Sequence, residues 1–257
     1  MHIITIANEK GGVGKTTITV NLAAALGLDG SRVLVIDLDS QAHATEWLGV
    51  PKAQLPAERS AYAVLTRKAP LANTLLRTQE AGVVLCGAHV LLAQAALELG
   101  NNVDGLFGLR DALAAELPFD YVLIDCPPAK GAVVFNALIA AQLVLAPVLS
   151  HALSLEGLGE LLETVQRVKS RYSPALLAPM IVINDYEGRA SADRQVQEYL
   201  RQQFPHTLFQ TMIGRDAPLR ECFAARESIF RYRRTARSAA QFLALAHEIQ
   251  EHLHATA

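Results

Sequence analysis

The chain has 257 residues, 51% of them hydrophobic, and a formal net charge of −2. That length accommodates a full core in one large α/β domain, and the apolar content excludes a disordered chain. No apolar run reaches the ~18 residues that cross a bilayer, the N-terminus lacks the basic-then-apolar pattern of a secretory signal, and three scattered cysteines (Cys86, Cys126, Cys222) with no CxxC spacing argue against a disulfide framework or zinc site and fit a reducing cytoplasm.

In chain order, residues 3–7 (IITIA) read as a buried strand, followed by a glycine-rich loop and a helix over about 15–28. Residues 32–37 (RVLVID) and 83–87 (VVLCG) are further strands, the second leading to a helix over about 89–99. Residues 50–80, with three prolines and mixed polarity, show no clear period. A helix over 109–117 precedes the strand 121–125 (YVLID), a helix over 133–141 precedes the strand 143–148 (LVLAPV), and 155–172 is a long amphipathic helix. Residues 176–184 read as strand, about 191–203 as helix, 207–211 as a short strand, and the remainder as C-terminal helices. Short, continuously apolar strands alternating with helices predict an α/β fold: a doubly wound, mostly parallel sheet with helices on both faces, in a single domain over 1–257.

GGVGKT, residues 11–16, carries the spacing of a phosphate-binding loop between a strand and a helix, although Glu9 stands where the usual pattern has its first glycine. The backbone of Gly11, Gly12, Val13 and Gly14, continuing into Thr16 and Thr17, is expected to close around phosphate oxygens. Lys15 supplies a charge to the β/γ-phosphates, and the Thr16 hydroxyl is a magnesium ligand. Asp37 and Asp39, two residues apart at the end of a strand, and Asp125, ending another, fall at the sheet edge where α/β proteins place ligands. Charge is uneven. Residues 165–240 hold 13 Lys+Arg against 7 Asp+Glu, and all but one of those cations are arginine. By count alone this stretch reads equally as a solvated surface or as a phosphate-contacting face.

KGGVGKTT, with a second lysine at Lys10, resembles the deviant Walker A box of the ParA/MinD group of P-loop ATPases. The resemblance extends over nearly the whole chain, through RVLVIDLDSQAHATEWLG, YVLIDCPP, PVLSHALSLEGL and IVINDYEGRA. It implies a Mg²⁺-dependent ATP hydrolase that forms a nucleotide-sandwich homodimer. In it Lys10 reaches the partner subunit's phosphates as a catalytic cation alongside Lys15. Asp39 positions the attacking water, Asp37 lies near the metal, and Asp125 holds Mg²⁺ through water. Asn184, and Asp216 in IGRDAP, match adenine-recognition positions, with Gly214 where proline is usual. Cys126 beside Asp125 is similar to an iron–sulfur relative, but Cys86 lies in an apolar strand run, so buried thiols are expected.

ParA proteins bind DNA without sequence preference, whereas MinD proteins bind membrane through a lysine-rich C-terminal helix. Here that helix is amphipathic at Phe242, Leu245, Ile249 and Leu253 but has no Lys or Arg after Arg237, so it is expected to pack on the core rather than on membrane. Arg189, matching a family arginine implicated in DNA binding, joins Arg215, Arg220, Arg226, Arg231, Arg233 and Arg234 as candidate DNA contacts. Pro218 replaces the family's second arginine in this region, which displaces or weakens that surface. No helix-turn-helix extension precedes the first strand, so operon repression is not expected. The resemblance implies a small ParA-type partition ATPase, cytoplasmic and nucleoid-associated, stimulated by a ParB-like partner. The alternatives are a nucleoid-based cargo-positioning ATPase or a MinD-like membrane ATPase.

Overall fold

The computed structural model describes residues 1–102, 104–150, 154–188 and 191–256. Seven strands, β1 (His2–Ile6), β2 (Val33–Asp37), β3 (Leu75–Arg77), β4 (Val83–Cys86), β5 (Tyr121–Asp125), β6 (Leu143–Leu149) and β7 (Met180–Asn184), form one sheet in the order β3-β4-β2-β5-β1-β6-β7. All pairings are parallel except β3 with β4.

Because side chains alternate across a strand, neighbouring apolar residues feed opposite cores. Val33 and Val35 of β2, with Tyr121 and Leu123 of β5, face one layer, and Leu34, Ile36, Val122 and Ile124 face the other. The first layer is built from α1 (Lys15–Leu28), α2 (His43–Trp47) and the C-terminal α9 (Ala217–Ala225), α10 (Ile229–Arg233) and α11 (Arg237–Ala255). The second contains α3 (Ala61–Leu65), α4 (Leu92–Gly100), α5 (Gly108–Leu113), α6 (Ala132–Ala140), α7 (Ser154–Arg171) and α8 (Ser191–Gln203). Burial on both faces explains why the central strands read as continuous apolar runs.

Several expected boundaries move for local reasons. The strand expected over 176–184 begins at Met180, directly after Pro179, which has no N–H to give the ladder. The helix expected over 109–117 spans Gly108–Leu113. The illegible segment 50–80 contains the antiparallel edge strand β3, and the strand expected over 207–211 does not form. Residues 207–215 instead run alongside β7 and occupy its backbone groups. Ile181 N–H donates to the Thr207 carbonyl (2.7 Å), Phe209 N–H to Ile181 (2.9 Å) and Ile213 N–H to Ile183 (2.9 Å).

The C-terminal α11 packs along α1. Its apolar stripe, Phe242, Leu245, Ile249 and Leu253, is fully buried, as expected of a core helix. Phe242→Ala should therefore lower the unfolding free energy by about 3–5 kcal/mol in a denaturant titration. A loss of less than about 1 kcal/mol, the size of an ordinary surface change, would show that the helix is not part of the core.

Candidate nucleotide site

The loop from β1 to α1 crosses the C-terminal edge of the sheet at its centre, between β5 and β6. Asn8, two residues beyond β1, is buried and holds the loop in three ways. Its Nδ2 donates to the Pro147 carbonyl on β6 (2.8 Å), its Oδ1 accepts the Lys10 N–H (2.9 Å), and its own carbonyl accepts from Lys15 Nζ (3.1 Å). Lys15 Nζ also donates to the Lys10 carbonyl (3.1 Å). Burial pushes the Lys15 ammonium below the ordinary lysine range, and the nearby Asp125 carboxylate opposes that most. The loop ends at Gly14, with φ 90°, where α1 begins. Any side chain there would be strained, and a Cβ would lie 2.1 Å from Asn184 Nδ2. That amide reaches back from the end of β7 to donate to the Val13 carbonyl (2.9 Å). The first turn of α1 carries no acidic residue, so its free N–H groups and positive dipole end face the loop uncompensated, as anion binding requires.

Two buried carboxylates stand in register on adjacent strands, Asp37 on β2 and Asp125 on β5. Asp125 Oδ2 accepts from Thr16 Oγ1 (2.8 Å), and its Oδ1 lies 3.1 Å from Thr19 Oγ1. Asp37 Oδ2 accepts from both the N–H and the hydroxyl of Thr45 (2.8 and 2.7 Å), while its Oδ1 accepts the Asp39 N–H (3.1 Å). Burial raises both carboxyls above the usual carboxylate range. Asp125 is raised further by the charge of Asp37, and Thr16, Thr19 and Lys15 pull it back. Asp39 is half-buried in the loop beyond β2, its Oδ1 accepting the Gln41 N–H (3.0 Å).

Beside the loop lies a cavity of about 490 Å³, within the size range of small-molecule sites. Gly12, Gly14, Thr16 and Thr17 of the loop and α1 line it together with Asn184, Gly214, Asp216 and Leu219. Trp47, His43 and Phe223 line it as well. Phe223 meets the Trp47 and His43 rings edge-on, at 5.2 and 5.9 Å between centroids.

A family model described as an AAA domain matches residues 1–178. The chain is 34% identical over 252 residues to the chromosome partitioning protein ParA of Caulobacter vibrioides, covering 97% of this chain and 94% of that one. It is 36% identical over 248 residues to the sporulation initiation inhibitor protein Soj of Bacillus subtilis, covering 96% and 97%. The chain belongs to the ParA family of P-loop ATPases. Among solved structures, this ATPase is similar to the cell division ATPase MinD of Pyrococcus furiosus, with 25% identity, a TM-score of 0.77 and 97% and 98% coverage. It is also similar to a cobyrinic acid a,c-diamide synthase from Mycobacterium smegmatis solved with ADP and magnesium, with 29% identity, a TM-score of 0.84 and 98% and 95% coverage.

Of the residues singled out in the sequence, this ParA-family chain gathers Lys10, Lys15, Thr16, Asp125 and Asn184 around one loop. Others carry structural contacts as well. Asp37, expected near the metal, has both oxygens engaged by the segment that follows it, so it anchors the loop from 38 to 45. Asp216, expected at adenine, lines the cavity, but its Oδ2 accepts from the N–H and hydroxyl of Ser238 (3.0 and 2.8 Å), fastening the start of α11. Arg215 and Arg220, expected on a DNA face, pair with Asp185 (3.0 and 3.3 Å), and Arg215 also pairs with Glu187 (3.3 Å). Burial works against the Asp185 carboxylate, yet these arginines hold it below the ordinary range. Arg226, Arg231, Arg233 and Arg234 are exposed around α9 and α10, and Arg189 lies outside the described residues. Cys86 and Cys126 are buried free thiols, as expected. The sequence reading missed Asn8, Thr45 and the aromatic wall. It also missed Thr19, which was detectable: it follows Thr16 by three residues on α1 and so shares its face.

Trp47 is the sole tryptophan of the chain and lines the cavity. Titration with ADP and magnesium is expected to change its emission; calorimetric binding with no change in emission would place the nucleotide elsewhere. Asp125 yields a second expectation. Its folded value lies above the unfolded one of about 4, so its contribution to stability is present below that pH and is lost as pH rises through the folded value. In nucleotide-free protein, the stability of Asp125→Asn relative to wild type should therefore rise between about pH 4 and neutrality. A difference that stays flat with pH would show that folding does not raise the Asp125 carboxyl.

Proposed function

We propose that this ATPase is the motor of a DNA partition system. ATP joins two copies in a nucleotide sandwich, the dimer binds double-stranded DNA without sequence preference, and a ParB-like partner triggers hydrolysis and release. The observation that carries the reading is the pair of lysines in one loop. Lys15 Nζ is held on the Asn8 and Lys10 carbonyls, where incoming phosphate can take over the ammonium. Lys10, at the loop's mouth, belongs to the KGGVGKTT pattern whose first lysine serves the opposite subunit. A cation supplied in trans would offset charge developing on the transferring phosphoryl group.

ATP with Mg²⁺ suits the donor set. The Thr16 hydroxyl and the Asp125 carboxylate are hard oxygen ligands side by side. The described residues hold no group of three or more His, Cys, Asp or Glu able to cage a metal without phosphate. A magnesium ion held by Thr16, and through water by Asp125, would neutralise phosphate charge and relieve the two buried carboxylates. Asp39 is the residue proposed to orient the attacking water, with its backbone fixed by Asp37.

The DNA surface is assigned chiefly to Arg226, Arg233 and Arg234, with Arg215, Arg220 and Arg231 contributing less because acids offset them. Arg189 remains a candidate from the family pattern. A MinD-like membrane role loses support because α11 buries its apolar stripe. This reading places the protein in the cytoplasm, on the nucleoid.

The test is binding to random-sequence duplex DNA with ATP, ADP or no nucleotide across a salt series. Binding should require ATP and fall steeply with salt, since phosphate contacts release counterions. It should persist in Asp39→Ala, which traps the dimer, and be lost in Lys10→Ala. Binding that ignores the nucleotide, or none at low salt in a protein that still dimerises, would sink the partition reading.

A further inference from the structure

The second contact made by the segment carrying Lys10 is with a helix rather than a nucleotide. Helix α7 lies along residues 8–10, with Gly157 close against them. A Cβ at residue 157 would sit 2.8 Å from Asn8 Oδ1, 3.0 Å from Lys10 Cβ and 3.2 Å from the Lys10 nitrogen. None of these atoms is the loose end of a flexible chain. The Asn8 side chain is tied at one end to the Pro147 carbonyl and at the other to the Lys10 N–H, and the remaining two atoms belong to the Lys10 backbone and the root of its side chain.

Seven residues further on, the same stripe of α7 meets the loop again. Thr164 Oγ1 donates to Glu9 Oε1 (3.1 Å), and Lys130 bridges Glu9 (3.0 Å) and Glu160 (3.2 Å). Positions 157, 160 and 164 follow helical spacing, so one face of α7 braces Asn8, Glu9 and Lys10 in turn. Glycine inside a helix weakens the helix. Gly159, two residues away on α7, has no atom near its missing Cβ and faces solvent. The close approach is therefore particular to Gly157.

We propose that α7 positions Lys10, through the bare backbone of Gly157 and the Thr164–Glu9 contact, and so sets whether that lysine can reach its target. This deepens the assignment of Lys10 to the partner subunit's phosphates and rests on it. Gly157 touches no nucleotide; it acts through the backbone of residues 8–10. Displacing that backbone by a few tenths of an ångström moves the root of a four-carbon side chain whose tip must meet a phosphate, whereas Lys15 and Thr16 are rooted on α1 and feel the shift only through the Asn8 and Lys10 carbonyls that Lys15 Nζ bonds.

The experiment compares full-length wild type, Gly157→Ala, Gly159→Ala, Lys10→Ala and the Gly157→Ala/Lys10→Ala double variant. It measures kcat and KM for ATP, ADP affinity, and ATP-dependent dimerisation by light scattering. Gly157→Ala should lower kcat by about ten- to a hundredfold, the scale set by small misplacements of a reacting group, and weaken ATP-dependent dimerisation, while ADP affinity of the monomer changes much less than kcat. Gly159→Ala should match wild type, and the double variant should be no worse than Lys10→Ala, since the two changes act on one group. A Gly157→Ala protein that behaves like Gly159→Ala, or a double variant losing far more than Lys10→Ala, overturns the proposal. A silent Lys10→Ala would instead remove the reading on which it rests. Should Gly157→Ala not fold, Thr164→Val removes the hydroxyl bond to Glu9 at nearly constant shape; it should lower kcat in the same direction by more than it changes ADP affinity, and unaltered kcat overturns the proposal.

Discussion

The site depends on one arrangement: a lysine ammonium held against the carbonyls of its own loop. Lys15 Nζ closes residues 8–15 into a ring by donating to Asn8 and Lys10, and Asn8 fastens that ring to β6. A buried ammonium costs free energy unless donors and charges around it are matched. Here two carbonyls and the Asp125 carboxylate do the matching. The loop thus has its shape before any ligand arrives, and a phosphate entering it replaces carbonyl partners with charged oxygens, a stronger hydrogen-bond partner for the same group.

Around this ring the acidic residues divide their work. Asp125 keeps company with hydroxyls of α1, facing the phosphate end, whereas Asp37 is turned entirely to its own chain. Thr45 passes the tie onward, since its hydroxyl also accepts the Ala88 N–H (2.8 Å). The same short α2 ends at Trp47, whose Nε1 donates to the Glu227 carbonyl (2.7 Å) in the turn between α9 and α10. The segment holding Asp39 is therefore in direct mechanical contact with the helices that carry the exposed arginines.

What the sequence made legible follows the range of the interaction. The phosphate loop, α1 and the strands ending in Asp37 and Asp125 were readable because spacing and continuous apolar runs are local properties; α1 spans the residues its pattern indicates. The edge strand β3 was not readable, because three residues have no period of their own and become a strand only by pairing with β4. Pairings of Asp37 with Thr45, Asp216 with Ser238, and Asp185 with Arg215 and Arg220 were not legible. Each joins groups eight to thirty-five positions apart, a proximity that composition does not encode. The aromatic wall was missed for the same reason: Trp47 and Phe223 become neighbours only when α9 folds over α2.

The edges of the sheet have a consequence for how copies of the chain meet. At one margin β3 is only three residues long and runs against the direction of the rest. At the other, β7 has residues 207–215 laid along it, and backbone groups of Ile181, Ile183 and Tyr186 are already engaged there. A sheet with a stunted margin and a covered one offers little template for strand addition. Edge-to-edge stacking of sheets into an open-ended fibre therefore has no ready starting surface on this chain.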